Sequence, residues 1–408
     1  MFMPAHHPYL KHHVGTALLC AISLAAATPA EAAGIELYGG ADVGISYVTV
    51  SDRDQSTDRQ SRLGLDSSVL DDTMIGFRGT ERLSSDWSVG FDLASEFNLN
   101  TGELAYDAFF GIESTLSLTR NSWGTLALGR QQTISTDFFT NIDPMGLSFG
   151  QSNMGTSFTA INTQIYDNLV QFTSATWSGF ALGVGYSFDT GDTGIYANSG
   201  VDGPVPSDNG FENSNKMRAL TTAVRYQSGP VLLAASYDRA YASSRITGPN
   251  GDGMSQPNPQ TASPQAWYLG AAFTVNQVVL SAAWGRGING ALSGSGPGND
   301  LSGSPLSSLT GQGDILFSPG FNHNSYLLGF SWAMDARTQL MASWQMLQPR
   351  GVLTEETIAR SQQILGAAIT YKLSPRTTAY AWASYADNFQ MVSGAKTTVI
   401  GTGFQTLF

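Results

Sequence analysis

A histidine and a serine two residues apart, His323 and Ser325 in "GFNHNSY", are the first residues here whose types suggest a reaction. A serine becomes a nucleophile when an imidazole stands within hydrogen-bond reach of its hydroxyl, so a hydrolase is one class to weigh. With only Asn324 beside them, a histidine at the end of a loop is the simpler reading. His6, His7, His12 and His13 have the look of a metal site, but they fall in a segment that reads as a leader. Asp189, Asp192, Asp202, Asp208, Asn209 and Glu212 offer oxygen ligands for a hard cation such as Ca²⁺. Their spacing fits no ligand loop, so a solvated surface is expected. The sequence holds no glycine-rich phosphate loop, paired-cysteine zinc site or nucleotide motif, and no cofactor is expected.

The bulk properties narrow the classes further. Charged residues make up 13% of the 408 residues and the net charge is −12, with no cluster of Lys and Arg. Nucleic-acid binding requires such clusters to neutralise phosphates, so no nucleic-acid partner is expected. Residues 14–27 form an apolar run after Lys11, and "AEA" at 30–32 supplies small residues, which predicts a signal peptide over 1–32. The run is shorter than the roughly 20 residues of a spanning helix. Residues 33–408 contain no cysteine, so an exported chain must draw its stability from sheet and packing.

The elements that must position any site are strands. Val89, Phe91, Leu93 and Phe97 alternate with small or polar residues, as do Tyr326, Leu328, Phe330, Trp332 and Met334, and Leu340, Ala342, Trp344 and Met346. Side chains on a strand alternate between its two faces, so each stretch has one apolar face. Short turns read at Ser84–Asp86, Arg120–Gly124, Thr176–Gly179, Gln227–Pro230, Val275–Gln277, Asp335–Thr338 and Ser374–Arg376. Longer Gly/Pro/Ser/Asn-rich segments, such as 189–215, 241–264 and 288–322, lie between them. Seven turns between paired strands, with one strand at each end, predict about sixteen strands over 33–408. Short turns on one side and long loops on the other mark a transmembrane β-barrel with its apolar face towards lipid, and sixteen strands enclose an aqueous channel. The chain ends on "TTVIGTGFQTLF", where Ile400, Phe404 and Phe408 share a face, which predicts a closing strand.

"GIELYGGADVGISY" (34–47), "TMIGFRGTERL" (73–83), "FDLASEFNLNTG" (91–102) and "WGTLALGRQ" (123–131) resemble the first strands of the Gram-negative general porins. The resemblance implies an outer-membrane homotrimer of sixteen-stranded barrels that passes small hydrophilic solutes passively. It also implies contact with outer-membrane lipid and lipopolysaccharide, and a terminal Phe408 read by the barrel assembly machinery. In the family the third loop folds into the pore, and here that loop falls at 132–166. It contains no Lys or Arg and carries Asp137 and Asp143 as candidate constriction carboxylates. The long loops 189–215 and 288–322 leave a substrate-specific channel or an adhesin as alternatives.

Strand parity gives the lumen. Ile75 and Phe77 point outward, so Met74 and Arg78 point inward, and the same reading turns Glu36, Asp42, Asp92 and Glu96 inward. Relatives carry basic residues where this chain has Met74, Tyr106 and, in some, Gly40, so Arg78 is the wall cation that remains. An acidic lumen with focused field lines predicts a preference for cations. Arg130 shares a face with Leu126 and Leu128 and should point outward, where an unpaired charge facing lipid costs up to roughly 2–4 kcal/mol. The resemblance offers an intersubunit partner from the second loop, and Glu103 is the carboxylate available there.

Overall fold

A computed structural model describes residues 34–51, 59–106, 108–161, 165–191, 194–196, 204–205, 216–241, 246–247, 253–254, 263–292, 315–350 and 359–408. The expected leader, 1–32, lies outside them. Sixteen wall strands run in order around a closed antiparallel barrel. They are β1 Glu36–Ser51, β2 in two parts (Gln60–Ser67 and Met74–Arg82), β3 Trp87–Glu96, β4 Glu113–Arg120, β5 Gly124–Gln132, β6 Ile165–Ser174, β7 Phe180–Ser187 and β8 Arg218–Ser228. The circuit continues through β9 Val231–Tyr241, β10 Gln265–Val275, β11 Val278–Ala291, β12 Ile315–Ala333, β13 Thr338–Arg350, β14 Gln362–Lys372, β15 Thr377–Asp387 and β16 Lys396–Leu407.

Each of the seven short turns falls where the sequence places it. The turn after β12 shows why such a segment closes so tightly. The Asp335 carboxylate accepts from the Arg337 and Thr338 N–H groups at 2.7 and 2.9 Å, which holds its pKa below the ordinary carboxylate range. The circuit closes between β1 and β16, paired from Gly40 opposite Leu407 to Ser51 opposite Lys396. Closure satisfies the backbone within the wall and leaves no strand edge exposed to lipid. The terminal Phe408 donates its N–H to the Gly39 carbonyl at 3.0 Å and stands 52% exposed on the outer face with Ile400 and Phe404.

Two features depart from the strand pattern. The second strand breaks at 68–73, and its two parts both pair with β1: Ser67 stands opposite Val43, and Met74 opposite Gly40. Two residues of β1, Ala41 and Asp42, therefore face six that leave the wall and turn inward. Farther on, β11 and β12 extend into the segment 288–322 that reads as loop, pairing as far as Ala291 and Leu316 across a bulge after Ile288. His323 is thus a strand residue, buried and inward, and not the end of a loop. Its expected serine partner is engaged elsewhere, because the Ser325 hydroxyl donates to the Ser157 carbonyl. The catalytic reading of this pair has no geometric support.

Candidate functional site

The segment between β5 and β6 folds into the barrel. Thr133 caps a short helix, α1 (Ile134–Phe139), by accepting from the Thr136 N–H at 3.3 Å. Three single 3₁₀ turns follow, at Gly150–Ser152, Met154–Thr156 and Thr159–Ile161. The wall-facing side of this loop is dry. Ile134, Phe138, Phe139, Ile142, Met154 and Phe158 are all fully buried against strands that include β8, β9 and β10, and Met145 and Phe149 pack on Tyr380 and Trp382 of β15. Small residues on the wall make room for this contact. A Cβ added to Gly270 would come 2.8 Å from both Ile142 and Phe139, and one added to Gly183 would come 2.5 Å from Ile134.

Polar bonds fix the loop's course where apolar contact alone would let it slide. The Gln345 side-chain amide donates to the carbonyls of Gln151, Ser152 and Asn153 at 3.2, 3.0 and 2.8 Å. Ser135 donates to Asp238 of β9 at 2.5 Å, and Tyr268 accepts from the Ala160 N–H at 3.1 Å. These anchors were not legible in the sequence, although Gln345 in a strand facing the lumen is the kind of residue that searches for loop carbonyls.

The two loop carboxylates have different positions. Asp143 is 5% exposed and accepts from the N–H groups of Leu147, Met145 and Met154 at 2.8, 3.2 and 3.2 Å. Burial pushes its pKa up to about 6, against the pull of those three donors. It organises its own loop. Asp137 is exposed on α1, and its field reaches Glu113 at the start of β4. Asp92 acts on the same Glu113, so Glu113 lies within electrostatic range of a loop carboxylate and of a wall carboxylate.

Strands β1 to β3 carry Glu36, Asp42, Met74, Arg78, Asp92 and Glu96. Arg78 is held by Glu36 in a two-pronged pair, Nε to Oε2 at 2.8 Å and Nη2 to Oε1 at 2.9 Å, and lies over the Tyr38 ring. Tyr38 donates its hydroxyl to Asp92. The one expected wall cation thus stands against a carboxylate. Asp42 is buried, and its carboxylate accepts from the Leu70 and Asp71 N–H groups and from the Tyr380 hydroxyl, so it pins the break in β2 and does not line open water. Glu96, opposite Met74, lies in electrostatic range of Asp71 beside that break. Met74 and Tyr106 pack on a small apolar cluster of Ala94, Ile112 and Ile165, and Gly40 pairs with Met74.

Parity turns Arg225 of β8 inward, its guanidinium 4.8 Å from the ring centre of Phe138 and its field on Asp137. The sequence reading missed this cation, although its alternation with Val224 and Tyr226 was visible. Arg130 lies beside the bulge that offsets β5 from β6. It donates to Asp167 at 2.6 Å and to the Gly111 carbonyl at 2.6 Å, and rests on the Tyr106 ring. Within one chain its carboxylate is Asp167, while Glu103 is exposed in the connection between β3 and β4. Of the acidic loop residues, Asp189 pairs with Lys216 at 3.2 Å. Asp192, Asp202, Asp208, Asn209 and Glu212 lie outside the described residues.

A closed sixteen-strand wall around an inward loop and charged faces is the geometry of a water-filled channel. The family model for Gram-negative porins matches residues 15–389. The chain belongs to the Gram-negative porins. An outer membrane porin protein of Bordetella pertussis is 34% identical over 390 residues, covering 92% of this chain and 94% of that one. Outer membrane porin protein 32 of Delftia acidovorans is 33% identical over 54% of this chain and 65% of its own. Among solved structures, an anion-selective porin from Comamonas acidovorans superposes with a TM-score of 0.64 at 20% identity, covering 92% of this chain and all of that one. The trimer form of OmpT from Vibrio cholerae gives 0.56 at 12% identity, over 93% of this chain and all of that one. At those identities the likeness concerns the fold. This porin is an outer-membrane channel protein.

Proposed function

We propose that this porin is a general diffusion channel for small hydrophilic solutes and ions, that it prefers cations, and that it works as a homotrimer. The observation that carries the cation preference is the carboxylate of Asp137, exposed on the loop, to which the wall strand β3 adds Asp92. Arg78 supplies little opposing field because Glu36 holds it. Arg225 is the inward cation nearest Asp137, and it lies against the dry side of α1 on the Phe138 ring. A carboxylate surplus across a narrow aqueous path lowers the energy of cations there more than that of anions. The trimer reading draws on the OmpT trimer form. Phe408 is the proposed assembly signal, with lipid and lipopolysaccharide around the outer face.

The test is single-channel recording of the purified porin in a KCl gradient. The reversal potential should carry the sign of potassium preference, and Met74→Arg should move it towards chloride. A wild-type channel that prefers chloride ends the cation reading. Saturable block by one solute at low concentration would replace general diffusion with a substrate-specific channel.

A further inference from the structure

The break in β2 is built with more care than a defect would be. Residues 68–73 leave the wall between Ser67 and Met74, and Asp42 holds them from beneath by accepting from the N–H groups of Leu70 and Asp71. Thr73 ties the end of the break to β1, its hydroxyl donating to the Asp42 carbonyl at 2.9 Å. The inward loop holds it from the other side. Phe149 donates its N–H to the Val69 carbonyl at 2.7 Å, and Ser148 its hydroxyl to the Leu70 carbonyl at 2.5 Å. A knuckle of the wall is therefore clamped to the loop that narrows the pore.

The clamp leaves the Asp71 side chain free to face water. It is exposed, and it borders an open space of about 420 Å³ beside the loop, together with Asn141, Gly146, Gln405 and Lys372. Gln405 of β16 donates its side-chain N–H to Asp71 at 3.0 Å, which orients the carboxylate without cancelling its charge. Lys372 of β14 is the cation on the same space.

We propose that Asp71 is a selectivity-determining residue of this channel, a fixed carboxylate on the ion path that forms a second charge filter apart from Asp137. The knuckle is the device that brings it off the wall and into the path. The inference rests on the reading of the chain as an open diffusion channel, and it does not depend on which ion the whole pore prefers.

The test is reversal potential in a gradient around 0.1 M KCl. Asp71→Asn should lower the potassium-to-chloride permeability ratio about four- to five-fold, because a unit charge about 5 Å from the path in screened water weights each ion about two-fold and in opposite senses. Lys372→Gln should shift the ratio the opposite way, and both effects should shrink in 1 M salt. A second variant, Asp71→Cys, gives a thiol in a chain whose only other cysteine is Cys20. A cationic thiol reagent added during recording should move the ratio towards chloride, and an anionic one, added instead in a separate recording, should move it towards potassium. If Asp71→Asn leaves the potential unchanged while Asp137→Asn moves it, the ion path does not pass Asp71 and the inference is overturned. If the wild-type channel prefers chloride, only the cation reading fails, since the Asp71 shifts keep their sign.

Discussion

The two halves of the lumen wall differ although both are built from the same alternating strands. Along β8, β9, β10 and β15 the inward face is largely buried under the loop, with Phe138, Phe139, Phe149 and Phe158 sealed against it. Along β1 to β4 the inward face is polar and open, with Glu36, Arg78, Asp92, Glu96 and Glu113. Covering one half turns the channel into an off-centre passage whose remaining wall is the charged one. The dry half determines where the loop lies, and the wet half determines what the passage favours. Arg225, drawn to the Phe138 ring on the dry side, shows how a cation inside the barrel can have little say in selection.

Breaking the dry half should have the largest effect. Gly270→Leu would force a side chain into the contact of Ile142 and Phe139 with the wall. Overpacking of this kind costs about 1–3 kcal/mol, so the loop should leave its seat for the passage. Single-channel conductance should fall and spread over several levels, while the barrel's β circular dichroism spectrum persists. An unchanged single conductance level would mean that the loop is not held by this contact.

A smaller effect sharpens the boundary between the halves at Asp143. Its folded pKa of about 6 lies above the ordinary carboxylate value of about 3.9. A raised pKa means that the fold favours the protonated form. The contribution is therefore full below about pH 4 and is lost as the pH rises through about 6. Asp143→Asn stays neutral throughout. The melting temperature of wild type minus that of the variant should be largest near pH 4 and should narrow by pH 7. A gap independent of pH would place the Asp143 carboxylate in water.

The smallest effect lies outside the lumen. Arg130 and Asp167 have side chains 20% and 39% exposed at 2.6 Å, so a double-mutant cycle should give about 0.2–1 kcal/mol in thermal stability. The same cycle between Arg130 and Glu103 decides whether a neighbouring subunit also contributes, since coupling there can arise only if Glu103 reaches the arginine. Additive losses in the Glu103 cycle and coupling in the Asp167 cycle would make Arg130 a pin of its own wall.

The sequence by itself determined the barrel. Alternation such as Tyr326, Leu328 and Phe330, the seven short turns and the apolar face ending on Phe408 are local properties, and a strand with one apolar face in a closed wall has only one orientation towards lipid. Parity also carried Arg78, Asp92 and Glu96 inward and Arg130 outward. It could not say what each inward group would meet, because contacts across the lumen join residues far apart in the chain. Gln345 bonds Asn153 across 192 positions, and Gln405 bonds Asp71 across 334. The same limit explains the two loop carboxylates, which look equivalent in sequence. Only the tertiary structure decided that Asp143 would be buried among its own N–H groups and Asp137 left exposed. Asp42 and the break at 68–73 belong with them, since a strand that leaves the wall obeys no period, and its course was fixed by the loop it grips.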